Sequence, residues 1–175
     1  MLMQYLNGHF LACGFIWLLS AMPATAMATQ AEEMELKAAF IFNFTLFTTW
    51  PHAKDHLLLC VLGDEKYDAP LGRYEGRKVF DATLNVRHVH EVEDGRACDV
   101  LFVDRSEYPR LDQVRKMLEG LPVLTVTDHG GATPSSMIVL YRESNRVVFE
   151  IDRTAAANAG LAFSHKLLKL ARKVR

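Results

Sequence analysis

Two cysteines, Cys60 and Cys98, are the residues of this chain best suited to covalent chemistry. Cys60 sits inside a run of apolar residues, and Cys98 directly precedes another. If those runs form neighbouring strands, the two Cβ atoms come within disulfide reach. The enclosed loop of about 38 residues would then contribute roughly 4 kcal/mol by restricting the unfolded chain. The residues favour a bridge over a pair of buried free thiols. A catalytic redox pair is disfavoured, because the Cys-x-x-Cys spacing is absent.

Other reactive side chains point less far. His88-Val-His90 would set two imidazoles on one face of a strand, a spacing that metals use, but no third ligand accompanies them. Satisfied or exposed histidines are the better reading, and no metal or cofactor is expected. Gly63-Asp64 and Asp128-His-Gly-Gly131 follow apolar runs, at positions where α/β proteins often bind ligands. Neither carries the glycine pattern of a dinucleotide or phosphate loop. Ser135-Ser136 lacks a nucleophile elbow, so no hydrolytic triad can be assembled. A chain so poor in chemistry leans towards binding or regulation.

The elements that must position these residues follow from periodicity. Glu32 to Trp50 predicts a helix, acidic in its first turn, with Leu36, Phe40, Phe44, Phe47 and Trp50 as one apolar stripe, ended by Pro51. Leu57–Leu62, Asp99–Val103 and Val123–Val126 read as buried strands, and Thr83–His90 as an alternating one. Short helices are predicted over Tyr67–Tyr74 and Leu111–Leu118. Met137–Tyr141 and Arg146–Ile151 flank Glu143-Ser-Asn as a hairpin, and Ala155–Val174 predicts a closing helix. The fold class expected is α/β: a single domain with a mixed, mostly parallel β-sheet sandwiched between helices.

Twenty Lys plus Arg against 21 Asp plus Glu give a net charge of −1, which excludes the basic face of a nucleic-acid binder. Residues Leu2–Ala28 hold none of those charges. They carry an apolar run, Phe10–Leu19, and then small residues in Ala-x-Ala order at Ala24-Thr-Ala26 and Ala26-Met-Ala28. This reads as a cleaved export signal over residues 1–28, leaving residues 29–175 as the domain. Cys13 would leave with it, and Cys60 and Cys98 would remain in an oxidising compartment, the periplasm.

Several segments in order resemble the YfiR family of small exported bacterial proteins. They are Lys37-Ala-Ala-Phe-Ile-Phe-Asn-Phe-Thr45 with Trp50-Pro51, Leu59-Cys-Val-Leu-Gly-Asp64, Cys98-Asp-Val-Leu-Phe-Val103, Leu124-Thr-Val-Thr-Asp128, Val148-Phe-Glu-Ile-Asp152, and Ala159-Gly-Leu through Lys-Leu-Ala171. The resemblance implies a periplasmic, non-enzymatic regulator that represses a membrane-bound diguanylate cyclase through its periplasmic sensor domain. It also implies that Cys60 and Cys98 are the family's first cysteine pair. A second pair carried by some relatives is absent here. The expected partners are such a cyclase or another membrane receptor, and a second copy of the chain. The expected contact surface is the Asp128–Ser136 loop with the Tyr141–Arg146 hairpin, through Tyr141, Arg142 and Arg146. The competing expectation is a periplasmic small-ligand-binding domain that uses the strand-end loops at Asp64 and Asp128.

Overall fold

The computed structural model describes residues 24–128 and 136–175. Most of the predicted leader, and the loop core at 129–135, lie outside the described residues.

Helix α1, Ala24–Leu46, is followed by the two-residue strand β1, Thr48–Thr49. β2, His56–Leu62, leads through a 3-10 turn at Glu65–Tyr67 into α2, Asp68–Gly72. Next come β3, Lys78–Val79, and β4, Ala82–Val89. A second 3-10 segment, Val92–Ala97, precedes β5, Val100–Val103, and a third, Arg105–Arg110, runs into α3, Leu111–Leu118. β6, Leu124–Asp128, then gives way to the hairpin of β7, Ile138–Glu143, and β8, Arg146–Ile151. The chain closes with α4, Arg153–Asn158, β9, Ala162–Phe163, α5, His165–Leu170, and β10, Lys173–Val174.

Eight strands form one sheet in the order β10-β8-β7-β6-β5-β2-β4-β3. β4, β2, β5, β6 and β7 run parallel to one another, while β3 and β8 are antiparallel to β4 and β7. Such a sheet must be covered on both faces, and alternation along β2 shows how. Leu59 and Val61 join a cluster with Ala38, Ile41 and Phe44 of α1, whereas Cys60 and Leu62 join one with Leu111, Val114 and Leu118 of α3. The expected mixed sheet between helices is therefore observed.

Three element boundaries differ from the sequence reading. α1 begins at Ala24, inside the segment read as leader, and stops at Leu46 rather than Trp50. The β-branched pair Thr48-Thr49 leaves the helix to pair with β9, and Thr48 Oγ1 donates to the Phe44 carbonyl at 2.7 Å. Along α1, Ala38, Ile41 and Phe42 are buried beside Phe44, and Phe40 and Phe47 pack partly buried on the same core; of the expected stripe only Leu36 is exposed. The predicted C-terminal helix breaks in two. Gly160, at φ 74°, ends α4, with Leu161 N–H bonding Ala156 O at 2.9 Å and Gly160 N–H bonding Ala157 O at 3.0 Å. That is the Schellman pattern. Ser164 then caps α5 by accepting from Leu167 N–H at 3.3 Å.

Candidate functional site at the strand ends and the neighbouring hairpin

The parallel strands β2, β5 and β6 end side by side, and their first polar residues converge there. Asp128 is the last residue of β6, Asp104 follows β5, and Gly63-Asp64 follows β2. α1 crosses this edge and places Lys37 over it. Lys37 is only 3% exposed and Asp128 4%. Lys37 Nζ donates to Asp128 Oδ1 and Oδ2 at 2.8 Å each, and lies 2.7 Å from Glu33 Oε1 one turn back on α1. Tyr67 Oη donates to Asp128 Oδ2 at 2.7 Å. A buried ion pair is tolerated only when such bonds satisfy its remaining lone pairs and protons. Here three acceptor oxygens take the ammonium's three donors.

Titration follows the same geometry. Burial and the Asp128 carboxylate push the Tyr67 phenol well above its ordinary range, so it stays protonated and keeps donating. Burial alone would raise the Glu33 carboxyl, but hydrogen bonds from Lys37 and Arg142 outweigh it and hold the group below the usual range. Asp104 behaves likewise: burial opposes ionisation, and bonds from Lys66 at 3.0 Å and Ser106 Oγ at 2.9 Å prevail, so its pKa is lowered. Asp104 is 1% exposed, and its Oδ1 has no hydrogen-bond partner among the described residues. These groups line a cavity of about 270 Å³ together with Arg105, whose guanidinium stands 3.8 Å from Asp128 Oδ1 and is largely exposed.

The Lys37 ammonium is engaged by Asp128 and Glu33, and Tyr67 is held protonated as a donor to Asp128. The close approach at Gly63 confirms a tightly built edge. A Cβ there would lie 2.7 Å from Asp104 Cβ, and φ is 127°.

The residues expected for a partner surface lie nearby on the β7–β8 hairpin. Ser144 and Asn145 take positive φ values of 44° and 66°, the pattern of a tight type I′ turn. Tyr141 Oη donates to Glu150 at 3.2 Å, and Arg142 donates to Glu33 Oε2 at 2.8 Å, which ties the hairpin to α1. Arg146 is exposed at the turn. Glu33 thus touches both the buried lock, through Lys37, and the hairpin, through Arg142. The Asp128–Ser136 loop is described only at its two ends.

Cys60 and Cys98 are joined by a disulfide with a Cα–Cα distance of 6.0 Å. It links β2 to the segment entering its neighbour β5, as the sequence suggested. His88 Nδ1 lies 2.7 Å from Asp68, and the His88 and His90 rings sit 4.8 Å apart. Asp64 caps the 3-10 turn by accepting from Lys66 N–H at 2.9 Å. Tyr67, Asp104 and the burial of Lys37 were not singled out from sequence as site features. The signal available was a lysine placed among apolar residues in the most apolar helix.

A solved structure of a conserved domain protein from Vibrio cholerae O1 biovar El Tor has a similar fold, with a TM-score of 0.55 at 9% sequence identity. The match covers 81% of this chain and 60% of that one, so this chain spans little more than half the length of that protein. At that identity the likeness concerns the fold alone. Residues 34–172 match the family described as YfiR/HmsC-like, from the middle of α1 to the residue before β10. With nearly the whole described domain inside that match, the chain belongs to the YfiR/HmsC-like family.

Proposed function

We propose that this protein is a periplasmic, non-enzymatic regulator. It binds the periplasmic sensor domain of a membrane signalling protein, represses a diguanylate cyclase and so lowers cyclic di-GMP. The observation that carries this reading is family membership over residues 34–172. Two features support it. The Cys60–Cys98 bridge suits an oxidising compartment. The buried Lys37 and Asp128 are spent on each other, and the hairpin bearing Tyr141, Arg142 and Arg146 is tied to α1 yet keeps both arginines exposed. Among the described residues no helix is long and apolar enough to cross a membrane.

A regulator shifts its receptor only by preferring one of that receptor's states. Deleting the gene should raise cellular cyclic di-GMP, and periplasmic expression of residues 29–175 should restore it. Unchanged cyclic di-GMP in the deletion strain would refute the reading. A small-ligand-binding role is favoured by a separate observation, the strand-end cavity with an Asp104 Oδ1 that has no partner among the described residues. A metabolite screen by thermal shift tests it, because a ligand that binds only the native state raises its melting temperature.

A further inference from the structure

The net charge of −1 is unevenly distributed. Residues 153–175 hold six Lys or Arg and no Asp or Glu, whereas residues 1–152 carry 14 Lys plus Arg against 21 Asp plus Glu. A cationic segment on an otherwise acidic chain points to contact with an anionic surface. This segment forms one border of the molecule. β10 is the outermost strand of the sheet, beside β8, and α5 leads into it.

The border also carries apolar surface. α5 turns Leu167 into the core, where it is 2% exposed. Its opposite face bears Lys166, Lys169 and Leu170, at the three- and four-residue spacing that makes neighbours on a helix, and all are exposed. Leu170, at 69%, is the most exposed large apolar side chain among the described residues, and Val174 follows on β10 at 42%. The bordering acids are already engaged. Arg172 donates to Glu143 Oε2 at 3.1 Å, Arg175 lies 3.5 Å from Glu150 Oε2, and Asp152 caps α4 by accepting from Ala155 N–H at 2.8 Å. Lys166, Lys169 and Lys173, with Arg153, form no ion pair among the described residues.

Edge strands often carry lysine to deter pairing with another chain, which would account for Lys173. It does not account for Lys166 and Lys169 on α5, or for Leu170 between them and β10. An acidic protein surface would be gripped best by arginine forks, and both arginines at β10 are committed to glutamates. Unpaired lysines around an exposed leucine suit a diffuse anionic interface with an apolar interior instead.

We propose that this border rests on an anionic phospholipid surface, with Leu170 entering the interface and Lys166, Lys169 and Lys173 meeting the headgroup phosphates. The inference is separate from the receptor reading, and either can fail without the other.

Flotation of the chain purified from expressing cells tests it, using vesicles of phosphatidylcholine alone and of phosphatidylcholine with about one-third phosphatidylglycerol. Binding over a lipid titration should be roughly tenfold or more tighter on the anionic vesicles at about 0.1 M NaCl, and the preference should shrink at about 0.5 M. Lys166→Gln with Lys169→Gln and Lys173→Gln should remove the preference. Leu170→Ser should weaken binding to anionic vesicles roughly threefold or more and keep the preference. All four side chains are exposed, so both variants should melt with the parent. Leu2–Ala28 holds no Lys, Arg, Asp or Glu, so an export signal left on the chain does not supply a lysine-dependent preference. Equal binding to the two vesicle types, a lysine-substituted chain that keeps the preference, or a Leu170→Ser chain that binds like the parent would each overturn the proposal. Absence of vesicle binding would also overturn it and leave an acidic protein surface as the occupant.

Discussion

Lys37 and Asp128 are 91 positions apart and meet through two 2.8 Å hydrogen bonds, one to each carboxylate oxygen. This contact ties the first helix to the end of a central strand. It sits beside the ends of β2 and β5, so it fixes where α1 crosses the sheet. Buried charge is expensive when unpaired, so the pair acts less as a source of stability than as a condition on register.

Removing only one partner tests that distinction. Lys37→Met keeps the apolar stem and leaves Asp128 buried and uncompensated, which should cost about 3–5 kcal/mol. The double change Lys37→Met with Asp128→Asn removes the stranded charge and leaves an acceptor for Tyr67 Oη. It should recover much of that loss. Urea denaturation of the two variants against the parent gives both values, and a double variant as unstable as the single one would contradict this account.

Acid should weaken the fold through Asp104 and Glu33. Both have folded-state pKa values below their ordinary ones. The unfolded chain therefore binds their protons first as pH falls, and the stability they contribute is complete only above the unfolded carboxylate range of about 4. It is lost progressively as pH drops through the lower folded values. Melting temperature should therefore decline from about pH 5 downward, and Asp104→Asn should flatten that decline. Thermal melts between pH 6 and pH 3 provide the comparison.

The disulfide acts on the unfolded state. Its cysteines are 38 positions apart, and a loop of that length corresponds to about 4 kcal/mol in the chain-entropy view. Cys60→Ser with Cys98→Ser should lower stability by that order, and reduction of the parent chain should reproduce the effect. Calorimetry with and without reductant measures it. Stability unaltered by reduction would mean that the bridge constrains nothing.

What the sequence disclosed, and what it hid, divides along physical lines. β2 and β5 were legible because strands buried on both faces read as continuous apolar runs. The hairpin was legible from Glu143-Ser-Asn between two strand-like apolar stretches. α1 was legible as a helix apolar on most sides, and because such a helix carries little directional signal, the exposure of Leu36 was not. Lys37 and Asp128 could not be paired in advance, since contacts 91 positions apart depend on topology that periodicity does not encode. The C-terminal break had a local cue that the helical spacing of leucines outweighed: Gly160, with Ser164 as a cap four residues on.

That cue supports a prediction of its own. A Cβ on Gly160 would have room, with Pro51 Cγ the nearest atom at 3.7 Å, so the cost of Gly160→Ala comes from φ 74° alone. A left-handed alanine should destabilise the chain by about 1–2 kcal/mol. If chemical denaturation shows no loss, α4 can end without its left-handed residue.

The hairpin prediction separates recognition from folding. Arg142 meets Glu33 across a partly exposed ion pair at 2.8 Å, and Arg146 is exposed at the turn. Exposed pairs contribute at most about 1 kcal/mol, so Arg142→Ala with Arg146→Ala should change melting only slightly. If the hairpin meets a membrane receptor, the loss falls on binding instead, because arginine is enriched among the residues that dominate interfaces. The doubly substituted chain, expressed in the periplasm of the deletion strain, should fold normally and fail to lower cyclic di-GMP. Tyr141→Phe, which removes only the hydroxyl that bonds Glu150, should retain most of the effect if the ring supplies the contact. Full repression by the Arg142→Ala, Arg146→Ala chain would move the receptor surface elsewhere on the domain.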